Sequence, residues 1–227
     1  MNFINRRLSY LISLVLFCFA ICAYGQNNAR AQKIIDDLTA KFKTYPGVSI
    51  DFSATVTQLQ DKSESTYNGK ITLKGNKYKL EIPEYIIYFD GAKVYQYLPD
   101  VKEVNVSRPD ADEDNDEFQF LNPQSYFNIS SKNFKSNLAE ETTRDNRKVN
   151  EIDLYPVQVK TTKYSRIRLS VEKTTLQLVN LKVFMRDGTQ YAISFKPYDI
   201  AKTAIPDSLF VFNPKEHPGV EVIDLTF

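Results

Sequence analysis

Tryptophan is absent from the chain, histidine occurs once, and both cysteines, Cys18 and Cys22, fall within the first apolar run. These absences exclude a good deal of chemistry. A Cys nucleophile, a Cys-rich metal site and a multi-histidine metal site have no residues to build them beyond that run. His217 is the only imidazole. It lies in Asn213-Pro214-Lys215-Glu216-His217-Pro218-Gly219, a turn-rich stretch that reads as solvated surface. No Gly-x-Ser-x-Gly elbow offers a serine for it to activate. Glycine-rich phosphate loops are missing as well, and Lys and Arg are interspersed with acids, so nucleotide and nucleic-acid binding find no support. The run Asp110-x-Asp112-x-Asp114 opens like a calcium loop. Its sixth position is Asn115 where the sharp turn needs Gly, and its twelfth is Leu121 where a bidentate Glu is required, so no metal is expected there. Hydrolysis by carboxylates alone is the remaining enzyme class, and nothing marks a particular pair for it. The reading is a protein without cofactor, metal or catalytic group, one that binds instead of catalysing.

The N-terminus carries an address. Arg6 and Arg7 precede an apolar run from Leu8 to Ala23, which closes on Ala23-Tyr24-Gly25, small residues where a signal peptidase reads. The stretch Leu11 to Cys22 is short for a membrane span, which needs about 20 apolar residues. Residues 1–25 are therefore expected to be a signal peptide cleaved near Gly25, and 26–227 a single exported domain. Neither cysteine follows a small residue, so lipid attachment is not expected. The mature chain then has no cysteine and no disulfide staple, and its own core must hold it. The formal charge of +1 becomes −1 once Arg6 and Arg7 are gone, too little for a strong field of either sign.

Instead, the chain has apolar and aromatic content in ordered periods. Ala31, Ile34, Ile35, Leu38 and Phe42 recur at three- and four-residue steps, the stripe of an amphipathic helix, and Pro46-Gly47 stops it. From Val48 the period becomes two: Val48, Ile50, Phe52, Ala54 and Val56 alternate with polar residues. Tyr67, Gly69, Ile71 and Leu73 lead to a turn at Gly75-Asn76 and a return through Tyr78, Leu80 and Ile82. Strands are read at Ile86–Phe89, Val94–Leu98 and Glu103–Val106, then from Lys148 to Leu154, through Ile167, Leu169 and Val171, from Leu176 to Met185 and from Tyr191 to Lys196. Between them, Asp110 to Glu117 reads as an acidic loop, followed by short helical turns carrying Phe118, Phe120, Leu121, Tyr126 and Phe127. Asp207–Asn213 and Val220–Leu225 close the chain. The fold class predicted is mainly β: one antiparallel, meandering sheet with a helix packed on it.

Several of these segments together resemble the periplasmic outer-membrane lipoprotein carrier family, LolA. They are Ser49-Ile50-Asp51-Phe52 after the helix; Gly69-Lys70-Ile71-Thr72-Leu73-Lys74, a turn and Tyr78-Lys79-Leu80; Phe89-Asp90-Gly91-Ala92-Lys93-Val94-Tyr95-Gln96-Tyr97-Leu98-Pro99; and Ile205 to Pro214 with Pro218-Gly219-Val220-Glu221-Val222. They stand in the family's order. The resemblance implies an open half-barrel of antiparallel strands covered by an N-terminal helix and short lid helices, with an apolar cavity for the acyl chains of a lipoprotein. It implies acylated lipoproteins as cargo, an inner-membrane lipoprotein-releasing transporter as donor, an outer-membrane acceptor, a periplasmic location and a monomer. On it, Ile71, Leu73, Tyr78, Leu80 and Ile82 line the concave wall. Ile35, Leu38 and Phe42 form one lid surface, and Phe118, Phe120, Leu121 and Phe127 another. In one place the chain departs from the family: its best-studied members follow the hairpin Lys with Arg-Pro, the Arg holding the lid, whereas Lys74 here precedes Gly75-Asn76. The alternative is a lipid-binding or envelope-sensing module of the same fold that moves no lipoprotein.

Overall fold

Alternation with period two puts every second side chain on one face of a sheet, so a chain with this pattern over many strands has one apolar wall. The computed structural model describes residues 28–109, 129 and 132–226. Helix α1 covers residues 28–42. Six strands come next in sequence: β1 (Val48–Gln58), β2 (Ser63–Lys74), β3 (Lys77–Glu81), β4 (Ile86–Phe89), β5 (Val94–Leu98) and β6 (Glu103–Ser107). Five more form a second meander: β7 (Phe134–Arg144), β8 (Arg147–Pro156), β9 (Tyr164–Glu172), β10 (Leu178–Met185) and β11 (Thr189–Phe195). The short β12 (Asp199–Ile200) and β13 (Glu221–Asp224) belong to the C-terminal part.

All of these join one open sheet in the order β13-β6-β5-β4-β3-β2-β1-β11-β10-β9-β8-β7, with β12 added to β1. The two meanders meet where β1 pairs with β11, Phe52 opposite Phe195 and Ala54 opposite Ile193. Registry then carries the apolar set across strand after strand. Ile50, Ile71, Leu80 and Ile87 lie side by side on one wing. On the other, Ala54, Ile193, Leu181, Leu169, Ile152 and Leu138 make a continuous row over six strands. Helix α1 presses Ala31, Ile34, Ile35 and Leu38 into this face, and all of them share one core.

The structure adds three things to the expected sheet and revises one. Strand β7 is not signalled by its sequence: Leu138 is its single buried residue, and a bulge between Leu138 and Glu140 breaks the alternation. Its hairpin turn, Asp145-Asn146, has both residues at positive φ, the turn suited to a two-residue hairpin. Strand β13 runs parallel to β6, so the sheet is not wholly antiparallel. Asp207–Phe210 is a short 3-10 turn, not a strand. His217 is revised: instead of standing in solvent, it stacks on Phe212 at 4.8 Å and sits 4.4 Å from the Tyr97 ring. Those rings, with Tyr88 and Val104, make a second, smaller core on the opposite face of β4–β6. There burial, with help from the Glu81 charge, pushes the Tyr88 hydroxyl up to about 12. The segment 110–128 and residues 1–27, on which the expected signal peptide falls, lie outside the described residues.

The C-terminal part is clasped to the β2–β3 hairpin. Asp207 accepts from Lys74 Nζ at 2.6 Å and Lys77 Nζ at 2.8 Å, and Lys74 also donates to the Ile205 carbonyl. These bonds hold the Asp207 carboxyl at about 2. A depressed carboxylate stabilises the fold above its unfolded value, about 3.9. Titrating the wild type and Asp207→Asn by thermal melting should therefore give curves that differ at neutral pH and converge as pH falls from about 4 towards 2. A second prediction concerns Gly69, where an added Cβ would lie 2.6 Å from both the Phe52 ring and the Glu81 carbonyl oxygen. Gly69→Ala should lower unfolding stability by about 1–3 kcal/mol in denaturant titration, because neither backbone nor ring has room to yield.

Candidate functional site

The candidate site is the wall between the two wings and the helix that covers it. Gly69, without a side chain, lets the Phe52 ring lie across β2, and Ile71 and Leu73 flank it along the strand. Leu73 faces Tyr78 across the hairpin, and Tyr78 in turn faces Phe89 with ring centroids 5.3 Å apart. Burial alone pushes the Tyr78 hydroxyl up to about 12, so it stays neutral at any physiological pH. Ile71, Leu73, Tyr78 and Leu80 are buried, while Ile82 and Phe42 are half-buried against the same core. Ile35 is 1% exposed and Leu38 3%. The structure thus brings together eight of the residues picked from the sequence, in one apolar cluster. Phe118, Phe120, Leu121 and Phe127 lie outside the described residues, as does the acidic run from Asp110.

Helix α1 occupies the wall instead of leaving it hollow. One gap among the described residues lies at the C-terminal end of α1, lined by Leu38, Phe42, Tyr45, Leu176, Leu178 and Tyr198, and it is too tight to admit even a water-sized body. A ligand pocket typically has about 300–1,000 Å³. Tyr198, missed in the sequence, forms its floor: its hydroxyl accepts from the Leu178 amide and donates to the Leu178 carbonyl, both at 3.1 Å. Leu176 beside it holds a left-handed backbone, φ 55°, which costs a non-glycine residue some strain. Nothing in the local sequence marks either position.

Polar ties hold the helix to the second meander at both ends. Near its start, Arg30 and, from the β9–β10 turn, Lys173 both bind Glu141 on the bulged edge of β7. Ser136 donates to Gln32 at 3.3 Å, and towards the other end Lys41 Nζ donates to the Thr175 carbonyl at 2.6 Å. Against the first meander the helix packs apolar side chains. On the outer face of the second meander, Asp153 takes a bidentate pair from Arg168 at 2.8 Å, and Glu151 accepts from Arg144 and Ser170. These charges are spent within the sheet. Among the described residues no group of His, Cys, Asp and Glu could hold a metal ion, and no helix is long and apolar enough to cross a membrane.

Because Lys173 and Arg30 both bond to Glu141, its carboxyl stays below the ordinary carboxylate range. The tie is therefore kept as pH falls through the usual value of about 4.3 and is lost only in stronger acid. An exposed pair of this kind is weak. Glu141→Gln should speed amide exchange in residues 28–42 by about two- to fivefold at neutral pH, with β8–β10 unchanged, as read by hydrogen-exchange mass spectrometry.

This chain is similar to solved structures. An uncharacterized conserved protein from Thermus thermophilus matches over 86% of this chain and 99% of its own, at 11% identity and a TM-score of 0.54. A DUF1329 family protein from Desulfovibrio piger matches over 82% and 97%, at 13% identity and a TM-score of 0.49. LprF from Mycobacterium bovis matches over 79% and 97%, at 12% identity and a TM-score of 0.46. No curated protein matches the chain in sequence. The family model of the outer membrane lipoprotein carrier protein LolA matches residues 43–213, from the end of α1 through the C-terminal clasp, and the chain belongs to that family.

Proposed function

We propose that this protein is a periplasmic carrier that takes the acyl chains of lipoproteins against the concave wall and moves them from the inner to the outer membrane, without covalent chemistry. The single observation that carries the reading is the apolar wall itself: two meanders bring their inward side chains together, and the element covering them is one amphipathic helix with few polar ties. Acyl chains would enter by taking the place of that helix. The magnitudes allow it. Burying Ile34, Ile35 and Leu38 is worth about 1.5–3 kcal/mol each, hence roughly 5–9 kcal/mol for the stripe. An acyl chain gains about 0.8 kcal/mol per buried CH₂, so roughly ten methylenes match what the helix gives up. Binding and release then differ by a small free energy, which suits a carrier that must unload. A donor transporter of the inner membrane and an acceptor at the outer membrane are the partners this route requires.

A second reading, a lipid-binding or envelope-sensing module that moves no lipoprotein, is favoured by one observation. Lys74, which the family's best-studied members follow with a lid-holding Arg, is spent on Asp207 and the Ile205 carbonyl in the C-terminal clasp. A photo-cross-linker at Tyr78 separates the two: capture of lipoprotein and of a membrane transporter supports the carrier, and capture of a signalling partner alone supports the module.

The chain has no cysteine beyond Cys22, so an engineered pair can lock the helix without side reactions. In Gln32→Cys/Ser136→Cys, whose wild-type side chains touch, oxidation or a short thiol cross-linker should cut uptake of a fluorescent palmitoyl peptide at least tenfold, and reversal of the bond should restore it. Native mass spectrometry of protein taken from the envelope should show acylated species bound. Equal uptake by the locked and unlocked forms would refute displacement of α1, and a protein always empty would refute the carrier.

A further inference from the structure

One end of the second meander combines exposed aliphatic side chains with a local excess of cations, although the chain as a whole is nearly neutral. Three connections meet there. The β1–β2 turn touches the β10–β11 turn, where Gln60 donates to the Asp187 carbonyl at 3.0 Å and the Leu59 amide to the Gly188 carbonyl. Arg186 then reaches the β8–β9 loop, donating to the Thr162 and Val159 carbonyls at 3.1 and 3.3 Å. The Val157 amide ties that loop to Asn133, at the start of β7.

On this joined surface Leu59 is 55% exposed, Val157 45% and Val159 55%. Lone exposed aliphatics are ordinary on a protein surface, but three on adjoining loops at one end of a sheet are not. Around them stand Lys62, Lys132, Lys135, Lys160, Lys163 and Arg186, against the acids Asp61, Glu64 and Asp187. Asp61 accepts from the Ser63 amide at 2.9 Å and Asp187 from the Thr189 amide at 2.8 Å; both keep their charge, so six cations stand against three acids. The result is an apolar tip within a basic collar. A surface that is apolar at its tip and basic around it fits the headgroup region of an anionic bilayer, where aliphatic side chains enter the boundary and cations meet lipid phosphates.

We infer that this end of the sheet, built from the β1–β2, β8–β9 and β10–β11 connections, docks on the surface of an anionic phospholipid membrane. The inference goes beyond the carrier reading, and it needs no cargo to be tested. In this end-on pose the sheet stands upright on the bilayer with the open edges of the wall running down to the lipid. Acyl chains then pass between membrane and wall over a short distance, with little exposure to water.

The test uses protein purified from the envelope and sedimented with vesicles of phosphatidylglycerol in phosphatidylcholine, or of phosphatidylcholine alone. Binding is expected only with phosphatidylglycerol and should weaken with added salt. Lys62→Glu/Lys160→Glu should lower it by roughly fivefold or more per site, and Val159→Asn, which removes apolar contact without adding charge, should lower it independently of salt. Because the chain lacks tryptophan, a reporter at Val159→Trp reads the contact directly, with Lys148→Trp at the opposite end as the control. A blue shift at 159 but not at 148 supports the docking pose. No vesicle binding, or binding that none of these substitutions changes, overturns it. A protein that captures the palmitoyl peptide but ignores vesicles sinks the docking surface alone, and one that binds vesicles yet never captures the peptide sinks the carrier reading alone.

Discussion

The rest of the structure depends on keeping one parity from β4 across β1 and β11 to β7. Along that path each strand turns apolar residues to the same side, and each pairing sets them opposite one another, so that Ile50, Ile71, Leu80 and Ile87 on one wing and Ala54 through Leu138 on the other become a single surface, while β4–β6 bury a second set on the opposite face. A slip of one residue at any pairing would turn a whole strand outward. The junction of β1 with β11 is where the two wings must agree, and there Phe52 faces Phe195 while Gly69 clears space for the ring. The site, the lid and the core are all consequences of that agreement.

A wall of this size cannot stay bare in water, and the chain covers it with an element that is held only moderately. Helix α1 contributes four small or aliphatic side chains to the core, and its polar ties are made to one meander. By contrast, the C-terminal part is fixed by directed contacts. Asp207 joins two lysines of the β2–β3 hairpin, Phe212 meets Tyr88 edge-on, and Tyr97 lies tilted against Phe212 and His217. The physical contrast is between a lid of apolar area, which another apolar body can replace, and a clasp of geometry and charge, which it cannot. On the carrier reading proposed above, the helix side would be the one that exchanges and the clasp side the one that stays fixed.

Buried charge is used for structure. Asp153 and Glu151 lie almost fully inside, yet each is bonded to arginine, and Glu151 to Ser170 as well. Buried carboxylates left without such partners would be costly. Here they stitch β8 to β7 and β9 on the face away from the wall. Glu151 Oε2 is the exception, buried without a hydrogen-bond partner among the described residues.

The sequence by itself determined the helix stripe, most of the strands and which side chains face the wall, because periods of 3.6 and two residues are local properties that survive translation directly into geometry. It also showed which residue types the chain lacks, and a missing residue type cannot be supplied by folding. Tertiary structure alone decided the rest. Strand β7 has one buried residue and is a strand because β8 offers it an edge. The β1–β11 junction and the parallel β13 join residues far apart in the chain, which no local pattern records. His217 reads as a surface residue in its turn-rich loop, and only the fold brings Tyr97 and Phe212 against its ring, leaving it half-buried. Whether Ile71, Leu73, Tyr78 and Leu80 face a helix or open space is likewise a matter of what packs on them: a strand's own sequence fixes the direction of its side chains, and another part of the chain fixes what they touch.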